Sequence, residues 1–156
     1  MFKAQSFFKA RDKFIAIQDF DETIENPNYI EGAIEISYLE KKILTSEEWD
    51  YVDQLWSYFV FGLVDVSEGK EFDTYFPDQP LKVVFKPTNG CQYVFIEVGN
   101  PVNTNAYVQY EEFIDVMTKE ARLFFKKIIE LLPERKTSYI KSLNRLNSIQ
   151  ITKKTN

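Results

Sequence analysis

The sequence contains no histidine among its 156 residues and only one cysteine, Cys91. Without histidine, the chain cannot build a Ser-His-Asp triad, a Cys-His pair or a His-ligated zinc site. A single cysteine cannot form an internal disulfide, which is typical of a reducing compartment. These two absences exclude a large share of enzyme mechanisms and favour a cytoplasmic location.

Long apolar runs are also absent, and a membrane-spanning helix needs roughly 18 consecutive apolar residues. The N-terminal apolar residues are interrupted by Lys3, Gln5, Lys9 and Arg11, unlike those of a signal peptide. The Gly-rich phosphate-binding pattern GxGxxG is missing as well. We therefore expect no membrane partner, no cofactor and no metal, and we identify no catalytic residue.

Apolar residues make up 44% of the chain and aromatic residues 16%, with 14 phenylalanines. This composition is far too hydrophobic for a disordered protein, and the length suits one domain with a substantial core. No repeat or low-complexity linker divides the sequence. We expect a single domain over residues 1–156, with residues 150–156 forming a frayed tail.

Periodicity predicts strands and helices in a largely antiparallel order. The predicted strands are Phe14–Asp19, Gly32–Leu39 with a short partner at Ile43–Leu44, a hairpin over residues 81–98, and Asn105–Gln109. Three helices are predicted. The first follows Thr45, the second runs from Tyr110 or Glu111 to Leu132, and the third lies around Ser138–Asn147. Such an order predicts an α+β fold: a mostly antiparallel sheet with two long helices and a shorter C-terminal helix packed on one face.

The first long helix has a specific start signal and a clear amphipathic pattern. Thr45 followed by Glu48 matches a capping box, so we expect the helix to begin directly after Thr45. The apolar side chains at helical spacing should form its buried stripe: Trp49, Val52, Leu55, Trp56, Phe59, Val60 and Leu63. The opposite face should lie in solvent: Glu47, Asp50, Asp53 and Ser57.

The hairpin register follows from its turn. Asn89-Gly90 favours a two-residue type I′ turn, which places Thr88 opposite Cys91 and Lys82 opposite Glu97. One face of the hairpin then points into the core: Leu81, Val83, Phe85, Val94, Ile96 and Val98.

The charges are unevenly distributed. Between Asp12 and Asp78 there are 17 Asp and Glu against four Lys and Arg, whereas the segment after Tyr110 carries a positive balance. This asymmetry predicts an acidic surface that binds a basic protein partner, and the net charge of −5 disfavours nucleic acid. The candidate partner-binding residues are Asp21, Glu22, Glu25, Glu47, Asp50 and Asp53.

Other functions stay open. The stretch DTYFPDQP, Asp73 to Pro80, is either a displayed acidic and aromatic site or a loop whose Tyr75 and Phe76 plug the core. Pro77-Asp78 with Glu97 resembles part of the PD-(D/E)xK nuclease pattern, but Gly99 stands where that pattern has lysine. A small-molecule-binding protein, or a carboxylate-based enzyme with a pocket between sheet and helices, is the alternative function. A structural subunit is a third.

In size, acidity and order of elements, the chain resembles the small immunity proteins that bacteria make against toxins. The resemblance covers most of the chain and rests on no specific motif. It implies a cytoplasmic, non-enzymatic inhibitor whose acidic face covers the basic active site of a toxin. The physical logic is that an acidic face is steered onto a basic cleft.

Overall fold

The computed structural model describes residues 1–99 and 103–149, so the predicted frayed tail lies outside the described residues. It contains two antiparallel sheets and three α-helices, which confirms the predicted α+β class. The strands are β1 (Phe2–Ala10), β2 (Lys13–Ala16), β3 (Glu31–Tyr38), β4 (Lys41–Leu44), β5 (Asp50–Tyr51), β6 (Phe72–Tyr75), β7 (Lys82–Thr88), β8 (Tyr93–Gly99) and β9 (Asn103–Gln109). The helices are α1 (Val52–Ser67), α2 (Tyr110–Leu131) and α3 (Lys136–Asn147).

The first sheet has the strand order β2-β1-β3-β4, with the short β5 also paired to β3. No strand is predicted for the N-terminal residues, yet β1 alternates between buried Phe2, Ser6 and Phe8 and exposed polar side chains. The predicted strand Phe14–Asp19 is right only in its first half, because a 3-10 turn replaces strand from Ile17 onward. The predictions for β3 and β4 are confirmed to within two residues.

The second sheet is a meander with the order β6-β7-β8-β9. Its central hairpin has the predicted faces but a different register, because Thr88 pairs with Tyr93 rather than with Cys91. The loop holds four residues, and its backbone has positive φ at three successive positions, Asn89, Gly90 and Cys91. The register moves by two residues, so every side chain keeps its face. The predicted Lys82–Glu97 pair is wrong, since Lys82 lies opposite Gly99.

The start of the first helix is also corrected. The capping box between Thr45 and Glu48 forms, but it caps a single 3-10 turn at Ser46–Glu48. The chain then pairs with β3 through β5, and α1 begins only at Val52. Trp49 therefore lies outside the helix and is 38% exposed, so its predicted place in the buried stripe is wrong.

The three helices pack on one another, and α1 and α2 also contact both sheets. Their buried side chains meet those of the strands in an aromatic core, where Phe85 contacts both Phe59 and Phe113 at ring-centroid distances of 5.2 Å. Pro133 ends α2 as predicted, and a 3-10 turn leads from it into α3. Within the described ranges, no helix combines the length and apolarity needed to cross a membrane.

Replacing the buried Ile96 by alanine should reduce the free energy of unfolding by about 2–5 kcal/mol, because the core is closely packed. Replacing the exposed Lys86 of the neighbouring strand should change it by less than about 0.5 kcal/mol. Urea denaturation of both variants measures the difference. Comparable losses would contradict the assignment of the two faces of this sheet.

Gly62 in α1 allows close contact with β6, because a Cβ at this position would overlap the ring of Phe72. Alanine favours helix over glycine by about 1 kcal/mol, whereas overpacking costs about 1–3 kcal/mol. We expect Gly62→Ala to lower the midpoint of thermal unfolding. Added to Phe72→Leu, which frees space, the same substitution should be neutral or stabilising. Additive losses in this double-mutant cycle would disprove the packing explanation.

Candidate functional site

The predicted acidic residues occupy different environments. Asp21, Glu22 and Glu25 are exposed in the loop that precedes β3, and Glu47 is exposed in the 3-10 turn before β5. Asp50 is only 3% exposed, so the prediction that it faces solvent is wrong. Asp53 is half-buried in the first turn of α1. The exposed residues can contact a partner directly, whereas Asp50 and Asp53 have structural contacts described below.

A groove of about 410 Å³ lies between the loop before β3 and the ends of strands β1 and β3. Glu22 and Glu25 line it on the loop side, and Glu31 lines it from the start of β3. Tyr29, which is largely exposed, supplies an aromatic ring to the same groove. Two of the predicted acids therefore border a concave surface.

A second depression of about 300 Å³ lies beside the first. Glu47, Trp49 and Asp78 line it, and Glu31 lines both cavities, which joins them. We call this combined surface the acidic–aromatic face. It consists of Glu22, Glu25, Tyr29, Glu31, Glu47, Trp49, Tyr51 and Asp78.

Lys9 lies within this face and is fully engaged there. Its ammonium is 3.7 Å from a carboxylate oxygen of Glu31 and 4.6 Å from the centre of the Trp49 ring. It also donates a hydrogen bond of 2.8 Å to the carbonyl of Arg11. A cation is thus already bound by a carboxylate, an aromatic ring and a carbonyl, which shows the chemistry that this surface offers to positive groups.

Two sets of hydrogen bonds hold the loops of the face in place. The guanidinium of Arg135 donates to the Pro27 carbonyl at 2.9 Å and to Asn28 Oδ1 at 2.8 Å. The Asp50 carboxylate accepts from the main-chain N–H of Asp78 and from the Gln79 side chain, both at 3.1 Å. Buried Asp50 therefore supports the face from behind rather than contacting a partner.

These bonds also explain the stretch DTYFPDQP. Phe76 is 4% exposed, and its N–H donates to the Leu81 carbonyl, so this residue anchors the loop in the core. Tyr75 is 56% exposed, so its predicted role as a core plug is wrong. Asp78 is displayed on the acidic–aromatic face. The segment is thus a packed loop that presents one carboxylate.

The carboxylates also act on the phenol of Tyr51. Burial raises the pKa of Tyr51, and the negative charge of Asp78 raises it further. Tyr51 stacks against Tyr29 with 5.4 Å between ring centres. Both observations place this aromatic pair within a region of negative potential.

Asp53 joins two helices instead of contributing to the face. Its Oδ2 accepts a hydrogen bond of 2.8 Å from the Tyr139 hydroxyl on α3. Burial raises the pKa of Asp53, while the bond from Tyr139 and the charge of Arg135 oppose that effect. Asp53 therefore fixes the packing of α3 on α1.

The described residues contain no group of three or more Asp, Glu, Cys or His side chains arranged to hold a metal ion. Asp78 and Glu97, the acids of the partial nuclease pattern, thus belong to no such group there. Comparison of the chain with family models, with curated proteins and with solved structures gave no match. What the surface can do chemically is therefore inferred from its geometry: it can bind cations and basic groups.

Of the eight residues of this face, only Glu22, Glu25 and Glu47 are among the predicted partner-binding residues. Glu31, Asp78 and the three aromatic residues are not among them, and the sequence pattern predicts Trp49 in the core. The sequence pattern does not show which strands pair with each other. Glu31 lies beside Lys9 and Tyr51 only because β3 pairs with both β1 and β5.

The raised pKa of Asp53 predicts a pH effect. A carboxyl whose pKa is higher in the folded than in the unfolded chain contributes stability that is present below its ordinary value of 3.8. That contribution is lost as the pH rises through the folded pKa. The wild type should therefore gain stability relative to Asp53→Asn as the pH falls from about 7 towards 4.

Urea denaturation across this pH range measures the difference between the two proteins. A Tyr139→Phe background lacks the hydrogen bond that lowers the pKa of Asp53. In that background the gain in stability should therefore begin at a higher pH. A difference that stays constant with pH would contradict burial as the dominant effect on Asp53.

Proposed function

We propose that the protein is a cytoplasmic, non-enzymatic protein-binding domain, an inhibitor of the immunity type whose acidic–aromatic face covers a basic site on another protein. The observation that carries the proposal is the convergence of five carboxylates and three aromatic rings on two adjoining cavities. These side chains come from three separate segments of the chain: residues 22–31, residues 47–51 and the loop that carries Asp78. The whole-chain charge of −5 adds to the attraction for a basic partner.

The aromatic residues suit a binding surface. Tyr29 and Trp49 present large rings that are partly exposed, and buried Tyr and Trp side chains often dominate the energy of protein interfaces. Carboxylates around them attract a basic partner over distance and fix its orientation. The face thus has both the anchors and the charges that a protein-binding site needs.

The face is also held rigid before binding. Arg135 fixes the first loop and Asp50 fixes the Asp78 loop, so neither loop needs to be ordered when a partner arrives. Less conformational entropy is then lost on association, which favours affinity. A toxin active site that binds phosphate groups through Lys and Arg has the complementary charge, and it is the class of partner that we propose.

The test uses a partner isolated by chemical crosslinking in the source cells and then purified. Reversing four acids of the face, Glu22→Lys, Glu25→Lys, Glu47→Lys and Asp78→Lys, should weaken its affinity at least about 100-fold, mainly by removing complementary charge. Binding by the wild type should also weaken as salt increases. Isothermal titration calorimetry measures both effects.

The matched control reverses four exposed acids outside the face: Glu40→Lys, Glu68→Lys, Glu71→Lys and Glu130→Lys. It changes the net charge equally and should alter affinity by only a few fold through long-range attraction. If both quadruple variants lose affinity equally, net charge rather than this face recognises the partner. If neither loses affinity, the proposed site is wrong.

A further inference from the structure

The second sheet has an open face on the side away from the helices. The side chains that alternate with the buried ones point outward along all four strands. Among them, Tyr75 and Tyr107 are 56% and 59% exposed. Phe95 on β8 lies directly opposite Tyr107 and contacts its ring at a centroid distance of 4.9 Å. An aromatic surface is thus displayed on a regular sheet, separate from the acidic–aromatic face.

The strand register places charged residues in defined rows on this open face. One row runs across the strands through Asp73, Val84 and Glu97, because Val84 pairs with both acids. The next row runs through Lys86 and Phe95 to Tyr107. Positive and negative charges therefore alternate around an apolar centre, whereas the acidic–aromatic face is mainly negative.

We propose that this open face binds the same face of a second copy of the chain. In a two-fold symmetric dimer both copies use the same surface for the contact, so that surface must be complementary to itself. A two-fold axis lying across the strands, between the two rows, exchanges the rows. It places Lys86 of one copy above Val84 of the other, between Asp73 and Glu97. The dimer then has two identical charge contacts. In each contact, one copy supplies Lys86 and the other supplies Asp73 and Glu97.

The size of the face sets the strength of the contact. Three strands of seven residues, each about 24 Å long, and the four-residue β6, about 14 Å long, lie about 4.8 Å apart and give a footprint of roughly 400 Å² per copy. This is less than the roughly 800 Å² per partner of a standard stable interface, so the dimer is weak and reversible. Single-stranded nucleic acid, which also stacks on aromatic residues, suits the face less because Asp73 and Glu97 repel phosphates.

Sedimentation equilibrium of the whole protein from about 10 µM to 1 mM tests the proposal, since a contact this small should dissociate in that range. The wild type should shift from monomer towards dimer as concentration increases. Phe95→Glu should stay monomeric throughout, because the exchange of rows places the new carboxylate above Glu97 of the second copy. Near-UV circular dichroism checks that every variant keeps the wild-type fold, which is expected because the changed side chains point outward.

Charge exchange makes the test specific to this geometry. Lys86→Glu alone and the double variant Asp73→Lys/Glu97→Lys should each remain monomeric, because like charges then meet across the axis. Mixed together, the two variants should form a heterodimer, since one charge contact is then the same as in the wild type and the other is restored with its signs exchanged. Mixing Lys86→Glu with Phe95→Glu is the control and should give no dimer, since acids still face acids across the axis.

Three results would overturn the proposal. The first is a wild type that stays monomeric up to about 1 mM, the weak limit for an interface of this size. The second is a Lys86→Glu variant that dimerises like the wild type. The third is tight binding of an oligothymidylate that Phe95→Glu abolishes, which would assign the open face to nucleic acid instead.

Discussion

On the edge of strand β1 that faces α2, backbone N–H groups are hydrogen-bonded by side chains rather than by another strand. Over residues 2–6, β1 pairs with β3 on one side only, since β2 joins it from Phe7 onward. Helix α2 covers the other side, where Glu112 accepts from the Phe2 N–H and Glu120 from the Ser6 N–H, both at 2.8 Å. These carboxylates fix the helix along the strand and protect an edge that could otherwise pair with other chains.

The same contact reaches α1 through a buried chain of polar groups. Trp56 Nε1 donates to Ser6 Oγ at 2.9 Å, and Ser6 in turn is hydrogen-bonded to Glu120. Burial raises the pKa of Glu120, and its bonds with Ser6 offset part of that effect. One strand thus sets the positions of both long helices. Because those helices cover both sheets, the two sheets are positioned relative to each other through them.

Local patterns in the sequence predicted the elements whose periodicity is strong. The apolar spacing of α2 and the alternation of β3 and of the central hairpin gave the fold class and most of the core. The failures occur where tertiary contacts override local signals. Asp50 and Tyr51 pair with β3 instead of extending the helix, and the loop at Asn89 takes four residues despite its favourable two-residue sequence. The candidate site was found only in part because its acids meet through these same contacts.

The bond from Arg135 to the first loop has a consequence for synthesis on the ribosome. Arg135 and the Pro27 carbonyl are separated by 108 residues, and Phe2 and Glu112 by 110. Each contact must wait until more than 100 further residues have been translated. The N-terminal strand therefore emerges long before its covering helix, and contacts of this sequence separation slow folding. During that interval the strand lacks the helix that covers its backbone edge and its apolar side chains, which favours pairing with other chains.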